Sequence, residues 1–274
     1  MKNPNFTKKL ITTGTIAASL LLSSCSFVPS HSIEDERVAA SREAAIAQAS
    51  LTVPVLAAAM GPEQTEAPHI ADLQKGEAQG AEFFENAAFF GNSLIEGLNI
   101  YGGLGGDYFA ATSASVVSVT SSKTETLPDG EEGTLLQKLL CAIEEKEYER
   151  VYILLGINEI GFELPTFISL YDEMMDEIVE AAPETEVYII SITPVTEEKS
   201  FASETFCRER VEEYNTALYT LAQERGFYYA DLYTALAGED GFLPAEDSTD
   251  GVHLTIPKYT QWADYLREHY AEEG

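Results

Sequence analysis

Basic side chains are scarce in this sequence: 16 Lys and Arg stand against 46 Asp and Glu, leaving a formal net charge of −30 over 274 residues. A surface so poor in cations excludes sequence-independent binding of nucleic acid, which needs Lys and Arg to neutralise phosphates. It equally excludes attachment to anionic lipid through a basic patch. Cysteine is rare, three in all, too few for a disulfide-scaffolded miniprotein. Four histidines without clustered Cys or His partners leave a zinc site no ligand set, and no metal or cofactor is expected. What is present is a hydrophobic content of 45%, enough for a real core and too much for a disordered acidic tail.

The apolar run at residues 10–22 follows Lys2, Lys8 and Lys9. It is too short to span a bilayer as a mature helix and has the length of a signal-peptide core. It ends in Leu22-Ser23-Ser24-Cys25, which resembles a bacterial lipobox, where the cysteine is lipidated and becomes the mature N-terminus. An ordinary secretory signal with a chance cysteine is the blander alternative; the cysteine's position at the cleavage point favours lipidation. Removing residues 1–24 deletes three lysines and no acid, taking the net charge from −30 to −33. The expected location is therefore the outer face of the cytoplasmic membrane, held there by acyl chains that each contribute about 0.8 kcal/mol per buried CH₂. Cys141 and Cys207 fall in segments that read as helices, where two small buried hydrophobes are favoured over a disulfide.

Three regions follow: a leader over 1–24, a lipidated N-terminus and tether over 25–81, and one domain over 82–272. The tether is rich in Ala, Ser and Glu with prolines at 29, 54, 62 and 68, a spacer composition. In the domain, short apolar runs alternate with amphipathic segments. Strands are expected at residues 87–90, 116–119, 151–155, 187–192 and 227–230. Helices are expected at 135–145, at 166–180 from an i, i+3, i+4, i+7 stripe, over a second stripe from Cys207 to Leu221, and from about 257 to 270. Alternating strands and helices with apolar strands throughout imply a five-stranded parallel sheet covered on both faces. Ligands of such sheets bind beyond the carboxyl ends of the strands.

Three motifs stand at those ends. Gly91-Asn92-Ser93-Leu94 puts a serine on a strand-to-helix turn, its N–H at a helix N-terminus that favours an oxyanion; Asn92 or Ser93 could equally be a plain N-cap. Gly156-Ile157-Asn158-Glu159 offers a close-approach glycine and an amide donor, or simply a turn Asn. Asp250-Gly251-Val252-His253 spaces a carboxylate and an imidazole to pair on one turn, which is what a serine nucleophile requires, or forms a surface pair at a helix start. Asp247 is the rival to Asp250. Asp231 reads as a helix cap, and Trp262, Tyr265 and Leu266 as the inner face of the last helix.

Taken together and in this order, the three motifs resemble the SGNH (GDSL-type) hydrolase family over roughly residues 82–270. The lead-in Phe83-Phe84-Glu85-Asn86, the segment Ile192-Thr193-Pro194-Val195 and Glu213-Tyr214-Asn215 resemble that family as found in exported Firmicute lipoproteins. The resemblance implies a flavodoxin-like three-layer α/β/α sandwich. It also implies Ser93 as nucleophile, His253 as general base and Asp250 as its orienting carboxylate, with Gly91, Asn92 and Gly156 shaping the turns. The Ser93 N–H and the Asn158 side chain would form two parts of an oxyanion hole. The third part is a glycine N–H in the family, and the matching position here is Ser113, which requires a backbone conformation that tolerates a Cβ. Asn92 in place of the usual Asp, and Glu159 where Asp is commoner, are further departures. The expected function is an envelope-anchored serine esterase that removes small acyl groups such as acetyl from glycans through an acyl-serine intermediate. The alternatives are a lysophospholipase-type lipid esterase and a non-catalytic lipoprotein of the same fold that binds glycan or a protein.

Overall fold

The computed structural model describes residues 73–121, 125–126 and 132–271. The leader, Cys25 and the tether as far as residue 72 lie outside them. Five strands carry the most apolar stretches of the domain: β1 Ala87–Gly91, β2 Asp107–Ala110, β3 Arg150–Leu154, β4 Glu186–Ile190 and β5 Tyr228–Ala230. All adjacent pairs are parallel, in the spatial order β2-β1-β3-β4-β5. That is the flavodoxin-like doubly wound order, whose topological switch point lies between β1 and β3.

Side chains alternate between the faces, and each face has its own helices. Ala88, Phe90, Val151, Ile153, Val187 and Ile189 point to one core. That side is closed by α2 Val116–Val119, α3 Leu135–Glu145, α4 Leu164–Ala181 and α6 Arg208–Arg225. Phe89, Tyr152, Leu154, Tyr188 and Ile190 point to the other. It is closed by α1 Ser93–Tyr101, α7 Leu232–Leu236 and α8 Ile256–Glu268, with Trp262 and Leu266 fully buried. The short α5 Glu197–Ala202 follows β4. Three layers result, as the alternating pattern requires.

One aromatic per strand crosses the second face in register. Tyr108, Phe89, Tyr152, Tyr188 and Tyr228 stack in sequence, with ring centroids 4.7, 4.9, 4.5 and 4.8 Å apart. Such pairs contribute about 0.5–1.5 kcal/mol each beyond area burial. The ladder fixes the register of all five strands, because a one-residue slip would send a ring to the opposite core.

Two readings of the sequence require correction. The segment 116–119 is not a strand. Ser115 caps it in a reciprocal box with Ser118, and Val116–Val119 is one helical turn. The second strand is instead Asp107–Ala110, half-buried at the sheet edge. Nor are the two cysteines buried hydrophobes: Cys141 is exposed, Cys207 is partly exposed at the N-cap of α6, and both are free. At the start of the described region, within the stretch read as tether, Gln74–Lys75 pairs antiparallel with His269–Tyr270.

Candidate active site

β1 ends on Gly91, where an added Cβ would strike the Leu154 carbonyl of β3. The chain therefore turns tightly at the switch point. Asn92 caps α1, its Oδ1 accepting the Leu94 N–H at 3.0 Å. Its Nδ2 is buried without a hydrogen-bond partner among the described residues. Ser93 is the first residue of α1, so its N–H belongs to the first-turn donors that no helix carbonyl satisfies. Its hydroxyl lies 2.9 Å from His253 Nε2.

The loop carrying His253 is held by its own small residues. Ser248 Oγ donates to the His253 carbonyl at 2.8 Å and accepts the Gly251 N–H at 2.9 Å. Gly251, at φ 91°, donates no side chain to the crowded approach of Thr196 and Lys199. Asp250 Oδ2 lies 2.7 Å from His253 Nδ1, while Oδ1 accepts the N–H of Val252 at 3.0 Å and of His253 at 2.8 Å. Partial burial pushes the Asp250 carboxyl up. The His253 N–H and ring and the Val252 N–H outweigh it and bring the pKa down to about 2. Asp250 is thus an anion aimed at the imidazole, which selects the tautomer with its proton on Nδ1 and a free lone pair on Nε2 facing Ser93. The rival carboxylate is occupied elsewhere: Asp247 pairs with Lys258 at 3.1 Å. Asp231 caps α7 by accepting the Thr234 N–H.

Across the switch point, Gly156 follows β3 at φ 127°, a conformation open to glycine, with Ile192 packed where a Cβ would stand. Asn158 is on the short 3₁₀ turn Ile157–Glu159, and one of its Nδ2 protons goes to the Ala114 carbonyl at 2.8 Å. The amide's second proton is left for another acceptor. Ser113 is exposed at φ 64° and is the non-glycine residue in the left-handed region among those described, a strain that costs about 1–2 kcal/mol. The glycine-like conformation is therefore present at that position despite the Cβ. The structure brings Ser93, Asp250 and His253 into one hydrogen-bonded chain and ties Asn158 to the segment that carries Ser113.

Sequence reasoning missed the environment of Glu159. Its side chain is wholly buried, Oε1 accepts the Val116 N–H, and Oε2 has no hydrogen-bond partner among the described residues. Burial raises its pKa to about 7 against the lowering pull of the N–H groups of Val116, Glu159, Gly156 and Asn158. A glutamate in a Gly-x-Asn-Glu turn carries no signal that it points inward. A carboxyl raised on folding contributes stability below its unfolded value and loses it as the pH rises through the folded value. Wild type is therefore expected to lose about 3 kcal/mol from this group between pH 4.5 and 7.5, the linkage value for such a rise. Glu159→Gln should abolish that slope. Urea midpoints at pH 5 and 8 for both proteins check it, and parallel losses in the two would refute it.

The sequence matches the model of the GDSL-like lipase/acylhydrolase family over residues 89–257, more than half of the chain and all three motifs. The chain belongs to this family. That membership makes it a serine ester hydrolase, and the GDSL fold explains why the motifs meet at one sheet edge. A Streptococcus pneumonia protein described as a platelet activating factor is 20% identical over 67% of this chain and 83% of its own, with a TM-score of 0.51. A GDSL-like lipase from Bacteroides thetaiotaomicron is 15% identical over 69% and 89%, TM-score 0.48. A carbohydrate acetylesterase from Sinorhizobium meliloti is 11% identical over 66% and 95%, TM-score 0.47. At 20% identity and a TM-score of 0.51, the first of these likenesses speaks for the fold alone. No curated protein matches the sequence.

Proposed function

We propose that this GDSL protein is an envelope-anchored esterase, lipidated at Cys25, that removes small acyl groups such as acetyl from glycans. The observation that carries the catalytic reading is the hydrogen-bonded chain from Ser93 Oγ through His253 to Asp250. In the reaction, Ser93 Oγ attacks the ester carbonyl while His253 Nε2 takes its proton. The Asp250 carboxylate stabilises the imidazolium through the Nδ1 proton. The tetrahedral oxyanion is received by the N–H groups of Ser93 and Ser113 and by the second Nδ2 proton of Asn158. Collapse expels the alcohol, which takes the proton from Nε2 and leaves an acyl-serine. Water deprotonated by His253 then attacks the acyl carbon, and the carboxylic acid departs as Ser93 is reprotonated.

Small acyl groups on a large alcohol are favoured by the openness of the site: the His253 and Asp250 side chains are 44% and 53% exposed. Two cavities, of about 490 and 970 Å³, lie at the two edges of the sheet, and neither is lined by Ser93, Asn158 or His253. An open shelf presents a surface ester to the serine, and among the described residues neither of these two cavities offers a long acyl chain an apolar wall beside Ser93. The strongly acidic chain disfavours polyanionic glycans. The test is a series of p-nitrophenyl acetate, butyrate and octanoate with protein lacking residues 1–25. The expected result is kcat/KM at least ten-fold higher for acetate than for octanoate, on the scale at which pocket contacts discriminate acyl length. The reverse preference would make it a lipid esterase, and inertness towards all three would favour a binding protein.

A further inference from the structure

Glu159 has no part in the reaction as written, yet it is buried at the base of the site and is one residue from Asn158. Its carboxyl spans the switch point. From the turn after β3, Oε1 takes the N–H of Val116, the first residue of α2 and a donor the helix itself cannot satisfy. Asn158 makes a parallel link two residues earlier in that segment, from Nδ2 to the Ala114 carbonyl. Together the two bonds clamp the strained Ser113 backbone, at φ 64°, to the turn that bears the Asn158 amide. The turn is braced from behind. Tyr214 Oη on α6 lies 2.8 Å from the carbonyls of both Glu159 and Phe162, which share its one proton, and Arg210 donates to the carbonyls of Ile160 and Phe162.

We propose that Glu159 is a positioning residue for the oxyanion hole, fixing the Ser113 segment against Asn158 so that both donors point at one oxygen. The inference rests on the esterase reading above. Stability alone does not account for the residue, since a buried carboxyl with one unpartnered oxygen opposes folding rather than favouring it. The facing groups leave it no ion-pair duty. Tyr171 of α4 and Tyr214 of α6 interact electrostatically with Glu159 and have their own pKa values raised, chiefly by burial. Arg210 directs its guanidinium to backbone carbonyls and to Glu213.

The test compares Glu159→Ala, Glu159→Gln and Asn158→Ala, singly and with the Ala variants combined, by kcat and KM for p-nitrophenyl acetate. Asn158→Ala should lower kcat by about 10²–10³-fold, as for loss of an oxyanion donor. Glu159→Ala should lower it about 10–30-fold with KM within two-fold of wild type, because donors are misplaced rather than removed. Glu159→Gln keeps an acceptor for the Val116 N–H and should restore kcat to within about three-fold of wild type. The double variant should fall little below Asn158→Ala, since both act on one hole. A folded Glu159→Ala with wild-type kcat, or fully multiplicative effects in the double variant, would overturn the proposal. Should Glu159→Ala not fold, a folded Gln variant as impaired as Asn158→Ala overturns it equally. Failure of the esterase reading looks different: inert wild type, or Asn158→Ala as active as wild type.

Discussion

Ser93→Ala is expected to lower kcat for p-nitrophenyl acetate by about 10⁴-fold or more, to the level that binding and an oxyanion hole alone can sustain. The size follows from what the hydroxyl does. It is the only atom of the side chain that bonds to His253, and without it the imidazole has no proton to accept and no covalent intermediate can form. The change is structurally mild. Asn92, not Ser93, caps α1, so the helix keeps its cap and gains the residue with the best helix propensity. The side chain is half-buried, and stability should move by no more than about 0.5 kcal/mol. Activity and urea midpoint therefore separate: the first collapses while the second holds. A fluorophosphonate probe should label wild type at Ser93 and leave the variant unmodified by mass spectrometry. A variant that retains activity within ten-fold of wild type would remove Ser93 from the chemistry and with it the whole esterase mechanism.

How much of this was legible beforehand follows from burial. β1, β3 and β4 are buried along most of their length, so they read as continuous apolar runs, and the long amphipathic α4 and α6 announce themselves by period. β2 is half-buried on an edge and begins with Asp107, so its apolar stretch of Tyr108, Phe109 and Ala110 is too short to stand out as a strand. Val116–Val119 shows the opposite failure. Three valines look like a strand, but the Ser115 cap and the Glu159 carboxyl that accepts the Val116 N–H are helix-starting groups, and one of them comes from 43 residues away. The motif residues of the site were legible because each sits on a local turn with its own chemistry. Glu159 was not, because whether a turn carboxylate faces water or the core is decided by what α4 and α6 place around it. The aromatic ladder is likewise written one ring per strand and becomes visible only when the register aligns the rings.

Asp250→Asn is expected to produce the second-largest loss, about 10³–10⁴-fold in kcat at neutral pH, with the fold intact. The asparagine Oδ1 can still accept the N–H groups of Val252 and His253 that now bond to the aspartate, so the loop keeps its shape. The amide nitrogen then takes the place of Oδ2, 2.7 Å from His253 Nδ1. Two donors cannot face each other there, so the ring adopts the tautomer with its proton on Nε2. That proton points at Ser93 Oγ and the base is lost. Loss of the carboxylate's charge adds to this by leaving the imidazolium uncompensated. Both effects are softened by solvent, because the Asp250 side chain is 53% exposed and the His253 side chain 44%, and water can partly stand in for either. The fall should therefore lie nearer 10³ than 10⁴. Asp247→Asn is the matched control: that carboxylate pairs with Lys258 and not with His253, and its removal should change kcat less than about three-fold, because the imidazole keeps its own carboxylate. Steady-state kinetics of the two variants side by side decide the assignment. Equal losses in both, or a larger loss in Asp247→Asn, would transfer the orienting role away from Asp250. A small loss in both would mean that His253 holds its tautomer without a carboxylate.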